Sequence, residues 1–113
     1  MLLGDALHTA HFSIGSGTKL ALEDAISLAG CFQTTSNHSD ALAEFEATRR
    51  PVIAEYQAAA HDSMVWFENA KRYMHLGIEE LAFSLMTRSG RVSYDDIKRR
   101  DPEFIARYES TVR

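Results

Sequence analysis

Apolar and polar positions along this chain recur at helical spacing over most of its length. From Thr18 onward Leu22, Ala25, Ile26 and Ala29 share one face, with Lys19, Glu23 and Asp24 on the others. This spacing predicts an amphipathic helix that Gly30 would stop. Residues 33–40 are a polar connector, with Ser39 and Asp40 as candidate N-caps. A long helical pattern over residues 41–60 puts Leu42, Phe45, Val52, Ile53, Tyr56 and Ala60 on its inner stripe. Pro51 lies inside it and predicts a kink or break near Arg49 and Arg50, because proline removes a backbone donor and crowds the preceding turn. Further helices are predicted over residues 62–75, carrying Met64, Phe67 and Met74, and over residues 78–87. Ser89 and Gly90 break the chain. Ser93 with Asp96 has the form of a capping box opening a short helix through Arg100. Asp101, Pro102 and Glu103 read as a helix restart: N-cap, proline at the first helical position, acid in the first turn.

The N-terminus differs. Met1, Leu2 and Leu3 are apolar and run straight into Gly4 and Asp5, which fits the last residues of a buried strand entering a turn. Residues 6–17 hold Thr, Ser, His and two glycines and read as loop. A lone strand cannot satisfy its backbone groups, and no second strand is legible. The expectation is therefore a mostly α chain with one short N-terminal strand stub, a helical fragment of something larger. Residues 1–113 read as a single segment: a strand–loop–helix unit over 1–31, then a helical part over 40–113.

Composition narrows the class. With 45% hydrophobic and 25% charged residues, the chain has the make-up of an ordinary globular protein. The formal net charge of −4 argues against a nucleic-acid surface. Its densest basic cluster, Lys98, Arg99 and Arg100, is flanked by Asp95, Asp96 and Asp101 and reads as a solvated helix face. Cys31 is the lone cysteine, so no internal disulfide can form; it reads as a small buried hydrophobe in a reducing, cytoplasmic setting. No apolar run approaches the roughly 18 residues of a membrane span, and the start is no signal peptide.

The stretch GDALHTAHFSIGSGTKLALEDA, residues 4–25, carries the candidate chemistry. An acid just past a strand end can accept hydrogen bonds from the vicinal hydroxyls of a sugar or sugar alcohol. Gly15 and Gly17 let backbone amides approach a ligand, and the helix opening near Thr18 offers unpaired N–H groups to an anion or an electron-rich ring edge. Gly15, Ser16 and Gly17 are neither a G-x-G-x-x-G fingerprint, since Leu20 stands at the third position, nor a P-loop. Spacing alone leaves two readings open, a ligand-binding loop or plain turn and cap chemistry. Asp5, His8 and His11 are spaced by three, yet no further ligand cluster completes a metal set, so no metal is expected. Trp66, Phe67, Tyr73 and Met74 read as core or interdomain packing. No catalytic base can be named.

The same stretch resembles the second flavin-contacting motif of the FAD-dependent aromatic monooxygenases of the p-hydroxybenzoate hydroxylase type. Gly4, Asp5, Ala6, His8, Gly15, Gly17, Asp24 and Ala25 match the family pattern. Phe12 and Lys19 stand where many members have proline and asparagine. Those departures, with DSMVWFENAKRYM and FSLMTRSGRVSYDDIKRRDPEF downstream, look like the branch acting on aromatic CoA thioesters, of the salicylyl-CoA hydroxylase and 2-aminobenzoyl-CoA monooxygenase type.

The resemblance implies the helical C-terminal part of an α/β, Rossmann-like FAD-binding monooxygenase. It implies that Asp5 holds the ribityl hydroxyls of FAD. Gly15, Ser16, Gly17 and Thr18 would lie against the pyrophosphate and the pyrimidine edge of the flavin, with His11 and Phe12 on the substrate side. NAD(P)H would be the electron donor and an aromatic compound or its CoA thioester the substrate. The family's ADP-binding G-x-G-x-x-G and substrate sheet are not in this sequence. The implied partner is thus the remaining N-terminal part of the enzyme or a homo-oligomer, with weak or no flavin binding and no hydroxylase activity expected of the chain alone. The competing expectation is a self-associating helical module without catalysis, pairing through the Trp66 and Met74 face.

Overall fold

The computed structural model describes residues 2–112, and the expectation of a mostly helical chain holds among them. Five α-helices follow two short 3-10 turns, Gly4–Ala6 and Phe12–Ile14: α1 is Gly17–Thr34, α2 His38–Glu68, α3 Ile78–Thr87, α4 Tyr94–Arg100 and α5 Pro102–Thr111. The strand stub is met only as extended backbone at Leu3 (φ −147°, ψ 150°). No strand forms among the described residues, since nothing there pairs with it, and Met1 lies outside them.

Several boundaries move, each for a local reason. α1 runs through Gly30 to Thr34, because a glycine inside a helix costs only about 1 kcal/mol and here meets no crowding. The helix after the connector is initiated by Asn37, whose side-chain oxygen accepts from Ser39 N at 2.9 Å, rather than by Ser39 or Asp40. Pro51 breaks nothing. α2 is one helix through it, since both Pro51 and Ala47, four residues earlier, are exposed and water can take the freed carbonyl. The separate helix expected over residues 62–75 is instead the end of α2. It stops at Glu68, where the Asn69 side chain and backbone both donate to Val65 O, and a 3-10 turn at Ala70–Arg72 follows. The capping box of α4 and the Asp101 cap of α5 form as expected.

The chain divides into two compact units, Met1–Ala60 and His61–Arg113. In the first, Cys31, Ala41 and Phe45 form a buried cluster on which Leu3 and Leu28 pack. The inner face of α1 is not the expected one: Leu20, Asp24 and Cys31 are buried, whereas Leu22 and Ile26 are 61% and 74% exposed. In the second unit, Trp66 is buried, donates to Ser84 Oγ at 2.9 Å and stacks on Tyr73 at 5.0 Å. Phe83 stacks on Tyr108 at 4.2 Å, and Ile97 and Ile105 are buried. Trp66 is therefore engaged within its own unit, while Phe67 and Met74 stay exposed.

Candidate functional site

The first unit brings most of the singled-out loop residues to one open cleft of about 470 Å³. Asp5, Ala10, His11, Phe12, Gly15, Gly17, Thr18 and Ala21 line it. Three local features build it. Gly4 takes φ +59°, a conformation open to glycine, and a Cβ there would sit 3.4 Å from Ala21 Cβ, so the turn lies close on α1. His11 caps the second turn: its Nδ1 accepts from Ser13 N at 3.3 Å and lies 2.6 Å from Ser13 Oγ. Gly15, at φ +66°, closes that turn and feeds the chain into α1.

Asp5 is exposed, and its Oδ1 lies 4.0 Å from where a Cβ at Gly17 would stand. The carboxylate and the helix entrance therefore face the same space. No side chain caps the N-terminus of α1, so its first N–H groups are offered to the cleft. Phe12 is 85% exposed, with its ring stacked on His11 at 4.6 Å. Ser16 is not part of the lining; it is buried and its hydroxyl donates to Ile14 O at 3.3 Å. An acceptor for hydroxyls, two glycines and a helix N-terminus suit a polyhydroxylated ligand with an anionic or electron-rich edge. Lys19, at the rim of α1, is turned to Tyr56 Oη at 2.9 Å, and that hydrogen bond, with Glu23 nearby, raises the lysine pKa.

Sequence reading missed the buried cluster that ties α1 to the Gly4 turn and to α2. Asp24 is fully buried, and three segments converge on it: Gly4 N donates to Oδ2 at 3.2 Å, His8 Nε2 to Oδ2 at 2.7 Å and Arg49 Nε to Oδ1 at 2.8 Å. Arg49 also reaches Glu23 at 3.4 Å. Burial alone would push the Asp24 carboxyl up, but the hydrogen bonds from Arg49, His8 and Gly4 together outweigh it and hold the pKa below the ordinary carboxylate value. The available signal was an acid four residues after Leu20 and seven before Cys31, on the face that proved buried. The His8 side chain is thus bound to α1, while its backbone N–H stays within the Gly4 turn. Among the described residues no group of three or more His, Cys, Asp or Glu is placed to hold a metal ion, and no helix is long and apolar enough to cross a membrane.

The chain is 42% identical over 97 residues to a 3-hydroxy-4-methyl-anthranilyl-(aryl-carrier protein) 5-monooxygenase of Streptosporangium sibiricum, covering 86% of this chain and 27% of that protein. It is 45% identical over 92 residues to a salicyloyl-CoA 5-hydroxylase of a Streptomyces species, covering 79% of this chain and 18% of the other. The chain resembles part of a monooxygenase. A protodeoxyviolaceinate monooxygenase of Chromobacterium violaceum is 39% identical over 88 residues, 78% of this chain and 24% of its own length. The monooxygenase-like chain thus spans about a quarter or less of the relatives it matches. No family model matches it, and no solved structure matches it.

Proposed function

We propose that this chain is the C-terminal, flavin-contacting part of an FAD-dependent monooxygenase that hydroxylates an aromatic ring. The substrate class we favour is an aromatic acyl thioester, in line with the CoA-linked and carrier-linked substrates named for two relatives. The observation that carries the reading is the cleft itself: Asp5, Gly15, Gly17 and Thr18 line one space, at the uncapped start of an 18-residue helix. Asp5 accepts from the ribityl hydroxyls. Gly15, Ser16, Gly17 and Thr18 face the pyrophosphate and the pyrimidine edge, Ser16 through its backbone because its hydroxyl is engaged by Ile14. His11 and Phe12 border the substrate side, where the exposed Phe12 ring excludes water from an aromatic ligand. When bound, the flavin supplies the redox chemistry, with NAD(P)H as donor and O₂ as oxidant; the protein contributes binding, orientation and a dry site. The reading carries a cytoplasmic setting with it. The remaining flavin contacts come from the rest of the enzyme, so the chain alone binds FAD weakly and does not hydroxylate.

The test is a chimera in which this chain replaces the matching segment of the Streptosporangium relative. It should purify with bound flavin, and Asp5→Ala should lower flavin occupancy while leaving the protein folded. A folded chimera without flavin, or tight stoichiometric FAD binding by the isolated chain, would overturn the proposal.

A further inference from the structure

Asp24 belongs to the motif but does not line the cleft; it is the point where the first unit is tied together. Its carboxylate is wholly buried and both oxygens are engaged: Oδ2 by Gly4 N and His8 Nε2, Oδ1 by Arg49 Nε. A buried charged cluster of this kind is commonly no more stable than a well-packed apolar one, so stability alone does not account for it. What the cluster provides is direction. Gly4 is the residue before Asp5. Its N–H is held by Asp24, and its carbonyl accepts from Leu7 N at 2.9 Å and His8 N at 3.0 Å. Asp24 stands on α1, the same helix whose first residue, Gly17, faces the Asp5 carboxylate. The turn and the helix entrance are therefore referred to one rigid element.

We infer that Asp24, with His8 and Arg49, is a positioning residue for the cleft: it pins the Gly4 turn to α1 and so holds the Asp5 carboxylate in register with residues 15–18. The inference rests on reading Asp5 as the acid that receives ligand hydroxyls. The cluster acts through Asp5 and does not touch the ligand. Loosening it lets the turn swing while both helices persist.

Nuclear magnetic resonance on the full chain tests this without any turnover. In the wild type the Gly4 amide should exchange slowly, Asp5 should lie within contact of Gly17, and FAD at millimolar concentration should shift the amides of Gly15, Gly17 and Thr18. In His8→Ala, exchange at Gly4 should rise about tenfold, the Asp5 contact with Gly17 should vanish and the FAD response should weaken about tenfold, as in Asp5→Ala. Protection of the α1 amides should be unchanged. His8→Gln, which can place an amide N–H where Nε2 stands, should restore all three readouts, a rescue that bulk destabilisation would not give. Asp24→Asn should behave as His8→Ala does if it folds. Slow Gly4 exchange and an intact Asp5 contact in folded His8→Ala would overturn the inference. If the turn loosens in the variants but wild type shows no FAD response, the positioning of Asp5 is upheld, and a folded chimera that also lacks flavin is the result that brings down the flavin reading.

Discussion

Removing the Arg49 guanidinium is the sharpest perturbation of the first unit. Arg49→Met keeps the length and most of the apolar stem but deletes the donor to Asp24 Oδ1 at 2.8 Å and the contact with Glu23 at 3.4 Å. Arg49 is 7% exposed and Asp24 0%, so water cannot replace the lost partner. Taking one member from a buried ion pair typically costs about 3–5 kcal/mol, because the other charge stays buried without compensation. Two features reduce that figure here. Gly4 N and His8 Nε2 still donate to the carboxylate, and Asp24 can escape by taking up a proton, since burial is then opposed by fewer hydrogen bonds. We expect a loss of about 3 kcal/mol at pH 7. The sign with pH follows from the depressed pKa of Asp24 in the folded chain. Its stabilisation is complete above the unfolded carboxylate value near 4 and is lost as pH falls through the lower folded value. The gap between wild type and Arg49→Met should therefore be widest at neutral pH and shrink below about pH 4. Urea denaturation followed by circular dichroism, with amide exchange in α1 as the probe of this unit, measures both. A loss under about 1 kcal/mol at pH 7, or a gap that does not narrow in acid, would refute the reasoning.

Other expectations are simpler. Gly30→Ala should stabilise the first unit by about 0.5–1 kcal/mol, since the residue is inside α1 with nothing within 4 Å of a new Cβ, whereas Gly15→Ala should destabilise it by about 1 kcal/mol because φ is +66° there; thermal denaturation of the two variants should move in opposite directions. Ile105→Ala, at a side chain only 2% exposed, should cost the second unit about 2–5 kcal/mol, read as a lower urea midpoint by Trp66 fluorescence. Ser93→Ala removes the hydroxyl that donates to Asp96 Oδ2 at 2.9 Å and accepts from Asp96 N, so the Asp96 pKa, now held low by the Ser93 backbone N–H and hydroxyl, should rise toward the ordinary value in a carboxyl titration by NMR, with faster amide exchange in the first turn of α4.

Much of the helical layout was legible because its signals are local. The Ser93 capping box, the Asp101 cap with Pro102, and the glycine-rich entry to α1 are set by residues a few positions apart. Asp5, His11, Phe12, Gly15, Gly17 and Thr18 line one space for a related reason, since they lie in one short stretch beside their own helix. Ser16 shows the limit, since the same stretch turns its hydroxyl to Ile14 rather than to the cleft. The buried face of α1 was misread. Periodicity favoured Leu22 and Ile26, and an acid such as Asp24 carries no outward mark of being paired.

By itself, then, the sequence determined that the chain is helical, where α3, α4 and α5 begin, which loop is glycine-rich, and which family's motif that loop resembles. Only the tertiary structure decided that Pro51 sits within one continuous α2, that Leu22 and Ile26 face outward, and that Asp24 is a buried junction for Gly4, His8 and Arg49. Caps and turns are fixed by neighbours along the chain. The burial of a charge is fixed by partners up to 25 residues away, whose approach no local pattern records.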